Sequence, residues 1–367
     1  MKKVVIAPDS FKGTLSSKEV CAVVSGVLKK KYPDIQIKAI PVADGGEGTV
    51  EALQYALSGK KVYCKAQSPL GRELDAYFLD VPGKTAVIES AVASGITLEE
   101  ERDALRASSY GTGQLIKAAL DSGAEKLIIG IGGSAMTDGG TGCLSALGVK
   151  FYGEEGELKR LCGENLCKVN RIDLSGLDER IGGTEITLLC DVKNPLYGET
   201  GAAYIFAPQK GATEKEVKLL DEGLRHFAQL CITVLGKDYS LCEGAGAAGG
   251  LGFALTAFLK ARTVSGIDCV LDLCGFEKEV QSADAVITGE GRLDSQSLSG
   301  KVPVGVAARC NGKRVIALTG VSDFTPEAAL QAGIGEVIET NPEHLPFDEI
   351  KHCAKAMLYE AAEKIKL

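Results

Sequence analysis

Short apolar runs alternate along this chain with longer stretches in which apolar residues recur every three or four positions. The run at residues 4–7 predicts a buried strand, and residues 15–31 predict an amphipathic helix that Ser16 or Ser17 would cap. A second strand is predicted over 35–42 and a second helix over 49–57. This order of strands and helices is typical of the start of a parallel α/β sheet.

The pattern changes between residues 61 and 90, where short strands are separated by turn signals at 68–71 and 81–84. Such spacing indicates an antiparallel meander and a domain crossing near residue 60. Helix and strand patterns then resume. The predicted elements are a helix over 112–122, a strand over 126–131, a helix after Asp138 and a strand over 187–190.

The character of buried parallel strands returns in the last third of the chain. A helix is predicted over 253–261, strands over 285–288, 315–319 and 334–339, and a terminal helix after them. Single cores rarely grow beyond about 250–300 residues, so a chain of 367 residues predicts two domains with a cleft between them. We predict an α/β fold: residues 1–60 and 275–367 form a discontinuous Rossmann-like parallel-sheet domain, into which a mixed α/β domain, residues 61–274, is inserted.

Composition limits the partners of the protein. The net charge of -8 and the pI near 5.2 disfavour nucleic acid or an anionic membrane as the main partner, because both select basic surfaces. The longest apolar stretches have the length of strands, and the first residues lack the pattern of a secretion signal. We therefore expect a cytoplasmic protein, and its oligomeric state stays open.

Three glycine-rich segments carry the first sign of chemistry. They are PVADGGEG at 41–48, IGGSAMTDGG at 131–140 and GAGAAGGLG at 244–252. Glycine lets a loop present several backbone N–H groups to an anion, and a neighbouring carboxylate can hold Mg²⁺. A tight turn explains each segment alone equally well, but APDSFKGT at 7–14 and TGEGRLD at 288–294 have the same character. Together the segments favour a phosphoryl-transfer enzyme.

Acidic side chains follow the predicted strands, at the edge where the ligands of parallel sheets bind. They are Asp9, Asp44, Asp138, Asp191, Glu290 and Asp294. The cations in or beside the same segments are Lys12, Lys193, Arg292 and Lys301. Phosphoryl transfer needs such cations and a base or orienting group for the attacking hydroxyl. In the alternative interpretation, Asp9 and Asp44 cap the helices that follow them and the cations are solvated at the surface. Capping is less natural for Asp191, which precedes VKNP.

A Ser-His-Asp catalytic triad and the two common nucleotide-binding motifs fit the sequence less well. The histidines, His226, His344 and His352, lie outside all of these segments, so a Ser-His-Asp hydrolase is disfavoured. The sequence contains neither a GxxxxGK[ST] P-loop nor a GxGxxG between a first strand and helix. A nucleotide would therefore be held by other means.

Several long motifs resemble those of the bacterial type-1 glycerate kinases, the glycerate 2-kinase family. They are APDSFKG at 7–13, ADGGEGT at 43–49, GIGGSAMTDGGTG at 130–142, CDVKNPLYGETGAAYIFAPQKGA at 190–212, GAGAAGGLG at 244–252 and TGEGRLDSQSLSGKVP at 288–303. The resemblance spans nearly the whole chain. It implies transfer of the γ-phosphoryl group of ATP to glycerate, with Mg²⁺, and with 2-phosphoglycerate as the usual product.

The resemblance and the residues together suggest roles for individual side chains. We expect ATP to lie against Gly132, Gly133, Ser134, Gly246, Gly249 and Gly250. We expect glycerate to contact Asp9, Ser10, Phe11, Lys12, Glu290 and Arg292. The catalytic residues would be Asp191, Lys193, Arg292 and Lys12, with Asp191 orienting or deprotonating the hydroxyl group, and the Mg²⁺ ligands would be Asp44 and Asp294.

Two other functions stay open at this stage. One is a kinase of another small hydroxy acid, such as tartronate or a sugar acid. The other is a non-catalytic, two-domain protein that binds a small anion. The sequence also leaves open which domain holds ATP and whether glycerate is phosphorylated at position 2 or position 3.

Overall fold

A computed structural model describes residues 2–294, 297 and 301–367. The chain divides into two compact units. Unit 1 comprises Met1–Asp44, Glu51–Ser58 and Ser265–Leu367, and unit 2 comprises Gly45–Val50 and Gly59–Val264. The domain boundaries given by the sequence, after residues 60 and 274, stay a prediction.

Strands and helices alternate in both units. The strands are β1 (Lys3–Ile6), β2 (Gln36–Ala39), β3 (Lys60–Gln67), β4 (Glu73–Val81), β5 (Thr85–Glu89), β6 (Lys126–Gly130), β7 (Lys150–Gly153), β8 (Gly156–Glu157), β9 (Arg171–Asp173), β10 (Glu185–Leu189), β11 (Arg262–Val264), β12 (Ala285–Leu293), β13 (Arg314–Ser322) and β14 (Glu336–Glu339). The α-helices are α1 (Ser17–Lys31), α2 (Thr49–Leu57), α3 (Ala91–Ser94), α4 (Tyr110–Asp121), α5 (Thr141–Ala146), α6 (Ala202–Phe206), α7 (Glu214–Leu235), α8 (Leu251–Leu259), α9 (Gly266–Leu273), α10 (Phe276–Gln281), α11 (Val302–Ala308), α12 (Pro326–Gln331), α13 (Phe347–Ile350) and α14 (Ala354–Lys364).

Unit 1 is built on a parallel sheet with the strand order β14-β13-β12-β1-β2. β1 pairs with β2 on one side and with β12 on the other, and Ile6 lies opposite Ile287. The chain therefore winds in one direction from β1 to β2 and in the opposite direction from β12 to β14. Open parallel sheets bind their ligands at such a reversal, beyond the carboxyl ends of the strands.

One face of this sheet is covered by α1 and α14. A capping box in which Ser16 and Glu19 bond each other's backbone N–H begins α1. Apolar residues at helical spacing, among them Val20, Val24 and Leu28, are then buried against the strands. Because burial of each such side chain contributes about 1.5–3 kcal/mol, this packing holds the carboxyl ends of β1 and β12 in fixed positions.

Unit 2 contains a six-stranded mixed sheet with the order β11-β10-β6-β5-β4-β3. The strands β5, β6, β10 and β11 run parallel, whereas β3, β4 and β5 form the antiparallel meander that the sequence predicts. The strands follow one another across the sheet in chain order, so its winding never reverses. The segment between β6 and β10 forms a separate small antiparallel sheet with the order β8-β7-β9.

The long helix α7 supplies much of the core of unit 2. Thr213 and Glu216 form its capping box, and Val217, Leu220 and Leu224 are buried at helical spacing. The ring of Phe227 lies within 6.5 Å, centroid to centroid, of three other phenylalanine rings. These aromatic contacts join α7 to β7 and α8.

The predicted fold class is confirmed, and most predicted elements are found. The helix predicted over 49–57 coincides with α2, and Ser16 caps α1 as expected. No element is predicted over residues 214–235, where the structure has α7, although the apolar residues of this helix have clear helical spacing. Across the described residues, no helix combines the length and apolar character needed to cross a bilayer.

Candidate active site

A pocket of about 290 Å³ opens in unit 1, where the winding of the sheet reverses between β1 and β12. Its polar residues include four carboxylates and three cations. The carboxylates are Asp9, Asp44, Glu290 and Asp294, and the cations are Lys12, Arg292 and Lys301. The local topology explains this grouping, because the carboxyl ends of adjacent parallel strands and the segments after them lie at the same edge. Glu290 and Arg292 belong to the last residues of β12, which is longer than the strand predicted over 285–288, and Asp9 and Lys12 follow β1.

Asp9 lies deep in this pocket and is only 4% exposed. The segment after β1 continues alongside β12, since the N–H of Asp9 donates to the carbonyl of Gly289 at 2.8 Å. One carboxylate oxygen of Asp9 accepts the N–H of Ser10. Burial, and after it the negative charge of Asp44, raises the pKa of Asp9 well above its usual range, while Lys12 acts in the opposite direction.

Glu290 is the second buried carboxylate of the pocket. Its Oε1 atom accepts a hydrogen bond of 2.5 Å from the hydroxyl group of Ser297. The same hydroxyl oxygen accepts the N–H of Asp294, so Ser297 links the two acidic residues. Burial raises the pKa of Glu290 to about 7, although the bond from Ser297 acts in the opposite direction.

Arg292 lies at the exposed side of the pocket. Its side chain is 63% exposed, and its guanidinium group pairs with Asp323 at 2.9 Å. An ion pair between exposed side chains contributes little to stability, so the guanidinium can exchange this partner for an anionic ligand. Arg292 is therefore available for the substrate contact that the sequence predicts.

Unit 2 contains a different kind of site, in which a carboxylate is enclosed by a glycine-rich loop. Asp138 is fully buried. It accepts the N–H and the hydroxyl of Ser109, both at 2.7 Å, and the N–H groups of Gly140 and Gly142. Burial raises the pKa of Asp138, although these four hydrogen bonds stabilise the charged form. The second glycine run thus binds an anion that belongs to the protein.

Glu89 plays the same part for the loop at residues 45–48. Its two carboxylate oxygens accept the N–H groups of Gly48 and Val50, each at 3.2 Å, at the start of α2. The side chain is buried, and burial raises the pKa of Glu89 to about 7. These two amide groups therefore donate to a carboxylate of the protein.

Close backbone packing accounts for glycines of the third run. A Cβ atom at Gly249 would lie 2.1 Å from the carbonyl oxygen of Met136, and the φ angle of Gly249 is +66°. A Cβ atom at Gly246 would lie 2.2 Å from the carbonyl oxygen of Pro195. Both positions require glycine whether or not a ligand is present.

Asp191 and Lys193 follow the carboxyl end of β10 in unit 2. The side chain of Lys193 is 79% exposed and pairs loosely with Glu243 at 3.9 Å. Asp191 is partly buried. Neither residue is among those that line the pocket of unit 1.

Comparisons with known proteins agree on one relationship. The model of the glycerate kinase family matches residues 4–367. The chain belongs to the glycerate kinase family. A glycerate kinase of Haemophilus influenzae is 47% identical over 340 residues, which are 91% of this chain and 90% of that protein. A glycerate 2-kinase of Escherichia coli (strain K12) is also 47% identical, over 87% of this chain and 85% of its own length.

A solved structure supports the same relationship. It is a crystal structure described as a glycerate kinase 2 from Salmonella typhimurium LT2, with a TM-score of 0.83 and 40% identity. It covers 98% of this chain, and this chain covers 96% of it. The family suggested by the motifs is therefore confirmed, and with it the prediction of a kinase.

The structure of this glycerate kinase family member groups the predicted site residues in two places. The predicted glycerate and Mg²⁺ residues line the pocket of unit 1: Asp9, Ser10, Phe11, Lys12, Glu290, Arg292, Asp44 and Asp294. Asp191, Lys193 and the predicted ATP contacts belong to unit 2: Gly132, Gly133, Ser134, Gly246, Gly249 and Gly250. All of these roles stay predictions.

A buried lysine beneath the second glycine run of this kinase is absent from the predicted site residues. The side chain of Lys210 is almost fully buried. Its ammonium group donates to the carbonyl of Met136 at 2.5 Å and to the hydroxyl of Ser134 at 3.2 Å. Burial lowers the pKa of Lys210 to about 7, although the charge of Asp138 acts in the opposite direction. Lys210 lies within the motif at 190–212, but local periodicity gives it no role, because its hydrogen-bond partners lie more than 70 residues away.

Removal of this lysine is expected to change how stability depends on pH. Between pH 7 and the ordinary lysine pKa of 10.5, the unfolded chain binds a proton at Lys210 that the folded chain does not. The wild type should therefore gain stability relative to Lys210→Met as the pH rises. The difference between their free energies of unfolding, wild type minus variant, should increase by about 2 kcal/mol from pH 7.5 to pH 9.5. Urea unfolding at both pH values measures this difference.

The exposed Lys215 offers a matched control for that experiment. Lys215→Met, which truncates a surface side chain, should leave the free energy of unfolding within about 0.5 kcal/mol of the wild type. A difference for Lys210→Met that stays flat or falls over the same interval would show that Lys210 keeps its proton in the folded protein.

Proposed function

We propose that this protein transfers the γ-phosphoryl group of ATP to glycerate and releases 2-phosphoglycerate and ADP. Family membership supports the reaction class. The observation that carries the proposal is the pocket at the reversal of the unit 1 sheet, where the buried carboxylates of Asp9 and Glu290 lie among cations. A small anionic hydroxy acid needs such cations for its carboxylate and a carboxylate base for its hydroxyl group.

Each pocket side chain has a task in this proposal. Lys12 and Arg292 bind the carboxylate of glycerate or the phosphoryl group in transit, as a point charge and as a planar fork. Asp9 accepts the proton of the hydroxyl group as the hydroxyl oxygen attacks the γ-phosphorus. The bond from that phosphorus to the bridging oxygen breaks, and ADP leaves with the electron pair.

Two assignments made from the sequence remain alternatives within this mechanism. Asp191 stays a predicted base, and Lys193 stays a predicted catalytic cation. The burial of Asp9 inside the pocket favours Asp9 as the base, because a base must lie within hydrogen-bond reach of the proton that it removes.

Mg²⁺ fits the pocket as an ion that arrives with ATP. Within residues 2–294, 297 and 301–367, no three His, Cys, Asp or Glu side chains come together as a metal cage. Mg²⁺ needs only one or two carboxylates when phosphate oxygens and waters complete its coordination, and Asp44 and Asp294 both line the pocket. When bound, the ion would neutralise charge on the phosphates. Asp44 and Asp294 would hold it.

Transfer in a cleft between two domains and a cytoplasmic location remain part of the proposal as predictions from the sequence. The ATP contacts predicted at the glycine runs of unit 2 stay an alternative placement of the nucleotide.

The reaction is tested directly by incubating the protein with ATP and D-glycerate, with and without Mg²⁺, and reading the product by ³¹P NMR. A Mg²⁺-dependent signal of 2-phosphoglycerate is expected. A 3-phosphoglycerate signal would support kinase activity but show that glycerate binds in the opposite orientation to the one proposed. No transfer by folded protein would refute glycerate as the acceptor, and kcat/KM values for tartronate and sugar acids would then test other hydroxy acids. Turnover of any acceptor excludes a binding protein without catalysis.

A further inference from the structure

The pocket of unit 1 has an apolar wall that glycerate cannot use. Phe11, Phe347, Ile350 and Met357 line it together with the charged residues. Every carbon of glycerate carries oxygen, so glycerate offers no apolar surface to this wall. A ligand with an apolar face must cover the wall if the pocket is to be closed to water.

Phe347 connects the wall to the charged end of the pocket. A Cβ atom at Gly13 would lie 2.8 Å from Cζ of Phe347, so the ring lies against the backbone next to Lys12. The ring nevertheless remains 49% exposed. An exposed aromatic ring beside a cluster of cations is suited to a ligand that joins a flat ring to phosphate groups.

The topology of the two sheets also favours unit 1 for the nucleotide. The winding of the unit 1 sheet reverses between β1 and β12, and the pocket lies at that reversal. The unit 2 strands follow one another in chain order, so that sheet has no such crevice. Nucleotides in open α/β sheets bind at the reversal point.

The glycine runs of unit 2 use several of their amide groups within the protein. Those of Gly140 and Gly142 donate to Asp138, and that of Gly48 donates to Glu89. The amide of Gly246 donates to the carbonyl of Asn194 at 2.9 Å. A phosphate cradle needs N–H groups that point at the ligand, and these groups point at acceptors of the protein.

We infer that the pocket of unit 1 binds the nucleoside part of ATP, with the base against Phe347 and the neighbouring apolar side chains. This inference rests on the proposed ATP-dependent reaction and places the nucleotide in unit 1, not at the glycine runs of unit 2. The phosphates then extend toward Lys12, Arg292 and Lys301, where the hydroxy acid also binds.

Calorimetric titration of the full chain tests the inference with two ligands, MgADP and Mg-tripolyphosphate, which has phosphates but no base. Phe347→Ala is expected to weaken MgADP binding by about 5- to 100-fold, the usual effect of removing an aromatic ring from a base. Tripolyphosphate binding should stay within about twofold of the wild type. Phe347→Tyr, which keeps the ring, should restore MgADP binding.

Leu330→Ala provides the control for truncating an exposed apolar side chain in the same unit. Leu330 is 70% exposed in α12 and does not line the pocket. MgADP affinity should be unchanged in this variant. Circular dichroism of all variants should match the wild type, since Phe347 is half exposed and its truncation leaves little cavity.

The outcomes separate this inference from the proposed function. Unchanged MgADP affinity in Phe347→Ala, or no MgADP binding by the wild type, would overturn the inference even if glycerate is phosphorylated. A raised KM for glycerate with an unchanged KM for ATP would also overturn it and assign the wall to the acceptor. Weakened MgADP binding in a protein that does not phosphorylate glycerate would support the nucleotide site and refute only the acceptor.

Discussion

The Asp9→Asn substitution is expected to lower the kcat for glycerate phosphorylation by about 10²- to 10⁴-fold, the range over which a positioned general base contributes. Asp9 is buried in the unit 1 pocket, where it can reach the hydroxyl group of a bound hydroxy acid. Asparagine has nearly the same shape and can still accept the N–H of Ser10, but it cannot take a proton. Steady-state kinetics with saturating ATP and glycerate measure the change.

Two matched variants decide whether this effect is specific. Asp34→Asn changes an exposed aspartate of unit 1 and should leave kcat within about twofold of the wild type. Asp191→Asn should lower kcat by less than about tenfold if Asp9 is the base. The opposite pattern, with near-normal turnover in Asp9→Asn and a large loss in Asp191→Asn, would transfer the role to Asp191.

Asp138→Ala is expected to lower the free energy of unfolding of unit 2 by about 3–5 kcal/mol, the usual loss when one partner of a buried charged network is removed. The substitution leaves four donors without their acceptor, namely the N–H and hydroxyl of Ser109 and the N–H groups of Gly140 and Gly142. It also removes the negative charge that favours the protonated form of the buried Lys210. Differential scanning calorimetry measures the loss.

Asp121→Ala is the control for this experiment. Asp121 ends α4, is 57% exposed and pairs with Arg180 at the surface. Its removal should change the free energy of unfolding by about 0–1 kcal/mol. If Asp138→Ala also lowers the free energy of unfolding by only about 0–1 kcal/mol, the loop does not depend on Asp138, and water replaces its hydrogen bonds.

Sequence patterns were sufficient to predict the elements of this protein that depend on residues close together in the chain. The cap at Ser16, the helix over 49–57 and the short apolar strand that leads into Asp9 all follow from local periodicity and capping chemistry. The strand predicted over 285–288 is also found, but β12 continues to Leu293 and contains Glu290. The candidate acidic residues were also identified, because a carboxylate that follows a parallel strand lies at the ligand-binding edge.

For the glycine runs, sequence patterns do not determine which anion the backbone amide groups bind. Their composition predicts loops that present amide groups to phosphate, and the structure has loops with amide groups that are bonded to Asp138 and Glu89. A phosphate and a carboxylate of the protein require the same loop geometry, so composition alone cannot distinguish them. The distinction depends on Glu89, which is separated from Gly48 by 41 residues.

By itself, the sequence determined the α/β class, the family and the residue types that meet at the strand ends, because these follow from local periodicity and from long contiguous motifs. Only the tertiary structure decided that Asp9 and Glu290 share a pocket with Phe347 and that Lys210 is buried beneath the second glycine run. Contacts between residues tens or hundreds of positions apart arise from the packing of whole strands and helices. Local sequence patterns carry no record of that packing.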